Sequence, residues 1–178
     1  MRQRRARLQD GASPRNEGTG SVMIWLHIGG GSGTFAARMR ERERNVAIIT
    51  TSMNFDGTFN SFIASRGLIL THVSISQWLP FFENTLDIAH SMHVLSNWIP
   101  DSMLEFALYD IYRVLRPGGF FWLDRFFCAR WQLDEMYMAM FDRVGFKRLR
   151  WNTGMKLDRG IQKNDQYFYA LLEKHIIP

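Results

Sequence analysis

Met23-Ile24-Trp25-Leu26-His27-Ile28 runs straight into Gly29-Gly30-Gly31-Ser32-Gly33, and Thr34-Phe35-Ala36-Ala37-Arg38-Met39 follows. An apolar run, a glycine turn and a helix-forming stretch in that order read as strand, loop and helix. Glycines suit such a turn because it visits positive φ and lets backbone press against a ligand with no Cβ between. The first amides of the next helix lack intrahelical partners, so they are available to a polar or anionic group. The plain alternative is a tight turn that binds nothing. Four glycines in five residues after a buried-type strand favour a ligand loop, so Gly29, Gly30, Gly31 and Gly33 are candidate binding residues.

Working outward, further apolar runs alternate with helical patterns. Val46–Thr50 and Leu68–Ile75 read as the second and third strands, with a helix from Phe59 to Arg66 between them, stopped by Gly67. Leu86–Ser91 is the fourth strand. Ser102 and Glu105 have capping-box spacing, and Leu104, Leu108, Ile111 and Leu115 form one apolar stripe. Arg113 and Arg116 suit that helix's negative end, and Pro117-Gly118-Gly119 stops it. Phe120–Asp124 is the fifth strand. Leu133, Met136, Met140, Phe141 and Val144 mark another helix, closed by Gly145, and Lys147–Trp151 and Gln166–Leu172 read as two last strands. This alternation implies βαβ units in a mostly parallel, doubly wound α/β sheet with helices on both faces. Its ligand belongs beyond the carboxyl ends of the strands, beside the first one.

Composition narrows the function classes. The 178 residues, 46% of them hydrophobic, suit one domain with a sizeable core, assigned to residues 23–178. Of the net charge of +5, +3 lies in residues 1–22, where five arginines face only Asp10 and Glu17. That segment reads as a disordered basic leader. A folded basic face of the kind that binds nucleic acid is not indicated. No apolar run approaches membrane-spanning length and Cys128 is the only cysteine, so a reducing compartment fits; the chain as it stands reads as soluble and cytoplasmic, with the compartment of a full-length form left open. One cysteine and scattered histidines match no metal spacing, and no Gly-Lys-Ser/Thr follows the glycine loop.

The order of signals resembles a class I S-adenosylmethionine-dependent methyltransferase. His27–Gly33 stands where that family has an acid-x-Gly-x-Gly-x-Gly motif. Leu79–Ile88 is similar to an LPF-to-acid segment of the methyltransferase type 11 group, and Val114-Leu115-Arg116-Pro117-Gly118-Gly119 to its RPGG hallmark. A set of plant members shares the patterns GGGxGTFAARM, FNSFIASRG, SMHVLSNWIPD and LYDIYRVLRPGGxFWLD. The resemblance implies a Rossmann-like, seven-stranded sheet ending in an antiparallel hairpin, with S-adenosylmethionine as cofactor and a small-molecule or otherwise unidentified methyl acceptor as partner. Carried over by position, the glycine loop takes the methionine half, Thr50 and Thr51 the ribose, and Ile75, Ser76 and Gln77 the adenine, while His90 and Ser91 face the sulfonium.

The chain departs from the pattern where acids are expected, holding His27, Thr50 and Ile75 instead, with Asp56 a distant substitute at the ribose. A protonated His27 would repel a sulfonium. Helices that precede the first strand in the resembled family have no counterpart here, as in a truncated form. His90, His93 and Asp124 are candidate catalytic groups, each with a structural alternative. Trp78, Phe81 and Phe82 either stack on adenine or anchor their loop. Two other readings remain: a non-catalytic descendant of the fold, and a nicotinamide-dinucleotide oxidoreductase, because Gly31–Ala36 also matches G-x-G-x-x-A.

Overall fold

The computed structural model describes residues 22–43, 45–52, 59–157, 160 and 164–176. The expected leader up to residue 21, and Asp56, lie outside the described residues. In chain order the elements are β1 Met23–Ile28, α1 Thr34–Arg42, β2 Val46–Thr51, α2 Asn60–Ser65, β3 Ile69–Thr71, β4 Leu86–Met92, α3 Asp101–Val114 and β5 Leu115–Ala129. A continuous helical run, α4, joins Arg130–Gln132, a π-helical turn Leu133–Tyr137 and Met138–Val144. The strands β6 Phe146–Met155 and β7 Asp165–Lys174 complete the fold.

One seven-stranded sheet has the order β3-β2-β1-β4-β5-β7-β6. Strands β1 to β5 pair in parallel, and β7 runs antiparallel to both β5 and β6. This is the doubly wound, Rossmann-like sheet with its terminal antiparallel hairpin. Alternation along each strand sends successive residues to opposite faces. Leu26, Ile28, Ala89 and Phe121 pack against Leu104, Leu108 and Ile111 of α3 and Phe141 of α4. Trp25, Ile48 and Ile88 face the other way, toward Ala36 of α1 and Ile63 of α2.

Three elements differ from expectation. Strand β3 stops at Thr71, because beyond it the Ser74 hydroxyl bonds Ser76 and the Ser74 carbonyl accepts from Gln77 N. Such local bonds compete with a strand ladder. Strand β5 extends far on both sides of Phe120–Asp124, since Leu115 pairs with Leu86 and residues 126–129 pair with β7. The Ser102/Glu105 capping box does not form: α3 starts behind Pro100, and Glu105 instead pairs with Arg143 at 3.0 Å.

The negative end of α3 is served from a distance. Lys174 Nζ donates to the carbonyls of Leu115 at 2.8 Å and Arg113 at 3.3 Å, while Arg113 turns to Asp110 at 2.7 Å. Arg116 pairs with Asp87 Oδ1 at 2.8 Å, and Asp87 Oδ2 accepts from Ile24 N at 2.6 Å. That latch ties the entry of β1 to the start of β5. Gly118 and Gly119 turn the chain beside it, and a Cβ on Gly119 would fall 2.8 Å from the Arg116 carbonyl and 3.1 Å from that of Asp87. Gly119→Ala is therefore expected to lower stability by about 1–3 kcal/mol, the ordinary cost of overpacking. A urea unfolding midpoint shifted down at unchanged slope checks this. Gly154→Ala, whose Cβ would meet nothing nearer than Tyr169 at 3.7 Å, is the control that should barely move.

Candidate functional site

Strand β1 ends in the loop at the place where strand order reverses, with β2 and β3 on one side and β4 and β5 on the other. Thr51, the last residue of β2, holds the loop twice: its Oγ1 accepts from Gly29 N at 2.9 Å and its carbonyl from Gly30 N at 2.8 Å. Gly33 N closes the turn on the Gly30 carbonyl at 2.8 Å. Gly29 and Gly30 are glycines for packing. A Cβ on Gly29 would lie 1.8 Å from Val94 Cγ2, and one on Gly30 2.1 Å from Thr50 Cγ2. Gly31 is different, for at φ +52° its Cβ would meet nothing within 4 Å. Open ground therefore sits over Gly31, beside the unpaired first-turn amides of α1.

Beneath the loop lies a buried row of rings. His27 and His90 are adjacent in the β1–β4 register, 2% and 1% exposed, with ring centroids 5.0 Å apart. Phe35 of α1 stacks on His90 at 4.0 Å, and Trp122 of β5 lies 4.6 Å from it. Neither imidazole has a hydrogen-bond partner among the described residues, nor do Thr50 Oγ1 and Ser91 Oγ. Burial pushes the His27 pKa down to about 4. Burial, with His27 adding repulsion, holds His90 well below its ordinary value. Both rings are neutral near pH 7, so His27 opposes no cation above it.

Of the positions carried over for ribose and adenine, Thr51, Ile75 and Gln77 line one cavity, whereas Thr50 is fully buried with its methyl against Gly30. Val73, Ser74, Ile75 and Gln77 face Ile28 and Thr51 across a cavity of about 20 Å³, room for one water. Ser76 is exposed and bonded to Ser74. Trp78 stands edge-on to Phe106 at 4.9 Å under the Arg113 guanidinium, so it anchors its loop to α3. Phe81 packs partly against the core, whereas Phe82 is exposed.

His93, just past the end of β4, meets Asp124 within β5, where His93 N donates to the Asp124 carbonyl at 3.2 Å. The third partner, Arg125, is absent from the sequence reading. Arg125 Nη1 donates to His93 Nε2 at 2.9 Å, which places the imidazole proton on Nδ1. Burial lowers the His93 pKa, helped by Arg125. Burial raises the Asp124 pKa despite Arg125 beside it. A signal for Arg125 did exist: the in-out alternation through Phe121 and Leu123 slips at Phe126-Phe127, as a bulge requires. Cys128 is buried and its thiol is pushed up to about 12, chiefly by burial, which leaves it inert as a nucleophile.

Residues 26–123 match a family described as a methyltransferase domain. The chain belongs to that methyltransferase family. A probable methyltransferase of Arabidopsis thaliana is 37% identical over 155 residues, which are 87% of this chain and 40% of that protein. The chain thus spans less than half the length of this curated relative. Among solved structures, an S-adenosylmethionine-dependent methyltransferase of Methanosarcina mazei aligns with a TM-score of 0.70 at 14% identity, over 88% of this chain and 94% of that one. A geranyl diphosphate methyltransferase in complex with GPP and sinefungin aligns at 0.66 and 12% identity, over 89% and 73%. These two likenesses speak for the fold. The class I methyltransferase resemblance and its plant affinity hold, and the matched residues include both the glycine loop and the RPGG turn. Among the described residues of this methyltransferase domain, no helix is long and apolar enough to cross a membrane.

The buried imidazoles make the methyltransferase domain acid-sensitive. A histidine that binds its proton more weakly folded than unfolded leaves stability unchanged above the unfolded pKa and removes it as pH falls below. Stability should hold above pH 6.5 and decline from there toward pH 4, with His27 accounting for ~3 kcal/mol of the loss. Urea unfolding across that window checks this, and His27→Phe should flatten the slope.

Proposed function

We propose that the chain binds S-adenosylmethionine across the carboxyl ends of β1, β2 and β4 and presents its methyl group to an acceptor held beyond β4 and β5. The single observation that carries this is the open ground over Gly31, in a loop clamped by Thr51 at the switch point of a methyltransferase-family sheet. The residues present fit the methionine half, with Gly29, Gly30, Gly31 and Gly33 offering backbone and neutral His27 lying below. Thr50 and Thr51 stand at the ribose, Ile75, Ser76 and Gln77 at the adenine, and His90 and Ser91 under the reacting end. For a nucleoside to enter, the 73–77 segment has to move out from Ile28 and Thr51, because the gap there holds one water.

When bound, S-adenosylmethionine supplies an electrophilic methyl group open to displacement by oxygen, nitrogen or carbon. Such displacement asks the protein for alignment and dryness more than for a strong base. The ring row of His27, Phe35, His90 and Trp122 keeps water from beneath the loop. Asp124, whose carboxyl holds its proton more tightly than usual, is better suited to proton transfer than His93, whose Nε2 is engaged by Arg125. His90 is sealed from solvent and serves in packing.

A second reading, a fold retained without transfer, draws support from the missing acid at His27 and the narrow gap beside Ile75. Calorimetric titration with S-adenosylhomocysteine separates the two. The unaltered chain should bind in the micromolar range. Gly31→Ala should stay folded at a backbone cost of about 1 kcal/mol and weaken binding roughly tenfold or more. Binding that appears only in His27→Asp would favour the second reading. Silence from all three folded proteins would overturn the cofactor assignment.

A further inference from the structure

Beyond His93 the chain walls off a cavity of about 180 Å³ that the cofactor positions leave unused. We propose that this cavity is a binding site for a small, single-ring aromatic carboxylate; its service as the acceptor site rests on the methyl-transfer reading above.

Size comes first. A cavity of ~150 Å³ accommodates a benzene-sized molecule, so this one suits a single ring with a small substituent. Its walls are aromatic. Trp98 and Phe127 are stacked with centroids 6.1 Å apart, and Tyr167 meets Phe127 at 6.1 Å. Trp98 is 76% exposed, a large flat ring with little cover.

Charge comes next. Among the described residues, the charged groups of the lining are Arg125 and Lys156, with Asp124 and Asp165 on the neighbouring stretches of β5 and β7. Lys156 Nζ lies 5.4 Å from the Phe127 ring centre and 6.0 Å from that of Tyr167. Arg113, Arg116, Arg130, Arg143 and Arg148 each pair directly with a carboxylate, whereas Arg125 donates to His93 and bonds the Tyr169 side chain, with Asp124 beside it. A guanidinium so placed has donors left for the two oxygens of a carboxylate.

The backbone is bent to put Arg125 there. The β5–β7 register breaks between Leu123 and Phe126, and Arg125 in that bulge has φ +54°. His93, opposite, has φ +63°. The other described non-glycine residues at positive φ are Asn84 and Asn164; asparagine and histidine both tolerate that region, which leaves Arg125 as the outlier. Strain of this kind in an arginine gathers at ligand sites. The site also adjoins the glycine loop, because Val94, next to His93, is the residue packed against Gly29.

Benzoate, benzyl alcohol and acetate titrated into the full chain, followed by tryptophan fluorescence and amide NMR shifts, test the assignment. Benzoate should bind at least roughly tenfold tighter than either comparator, since one lacks the charge and the other the ring. Arg125→Gln should remove that advantage while leaving benzyl alcohol unchanged, and Trp98→Ala should weaken both ring ligands. Equal affinity for benzoate and benzyl alcohol, or no benzoate binding at millimolar concentration, overturns the proposal, and the wild-type comparison needs no variant to fold. S-adenosylhomocysteine is titrated alongside. Benzoate bound without it supports the site and overturns the methyl-transfer reading; the reverse outcome overturns the site alone.

Discussion

Gly29 has room for a hydrogen and nothing more. Val94 presses on it from the end of β4, and the Thr51 hydroxyl accepts its amide from the end of β2. Three neighbouring strands are thus gauged against one backbone position. If β1 slid by one residue, Ile28 would occupy the place where a Cβ collides. The close fit keeps the loop from relaxing, and the relief appears one step on, at Gly31, where the backbone is bare and faces open space.

The two ends of the sheet carry different burdens. At the amino-terminal end of β1, Asp87, Arg116 and Gly119 lock β1, β4 and β5 through an ion pair, a backbone bond and a close approach. The motifs that looked most diagnostic, the acid of the LPF segment and the RPGG turn, are spent there on architecture. Asp124, His93 and Arg125 gather toward the opposite end, away from these ties.

Fold class, strand number and the glycine loop were legible in the residues because each is local: apolar runs, periodic stripes and turn glycines lie within a few positions. What stayed hidden was settled by distant partners. No pattern near Arg113 announces that Lys174, 61 residues on, will serve the end of α3. The Ser102/Glu105 spacing looked like a cap, but Arg143 competes for Glu105 from another helix. His27 read as a threat to a cationic ligand. Its neutrality depends on burial beside His90 and Phe35, which only the assembled sheet supplies. Arg125 was passed over because a lone arginine after an aspartate carries no motif, although the doubled Phe126-Phe127 marked the bulge that aims it.

The place of β7 between β5 and β6 sets an order of assembly on the ribosome. Strand β6 is made first, yet its described partner is β7, so it emerges with nothing to pair with. Until residues 165–174 leave the exit tunnel, the long β5 keeps one edge of backbone amides and carbonyls unpaired, and such an edge invites association with other chains. The hairpin and the Lys174 bonds then close that edge and the end of α3 in one late event. During synthesis the nascent chain passes through a stage in which the parallel part of the sheet and its glycine loop can form while the flank stays open to chaperones.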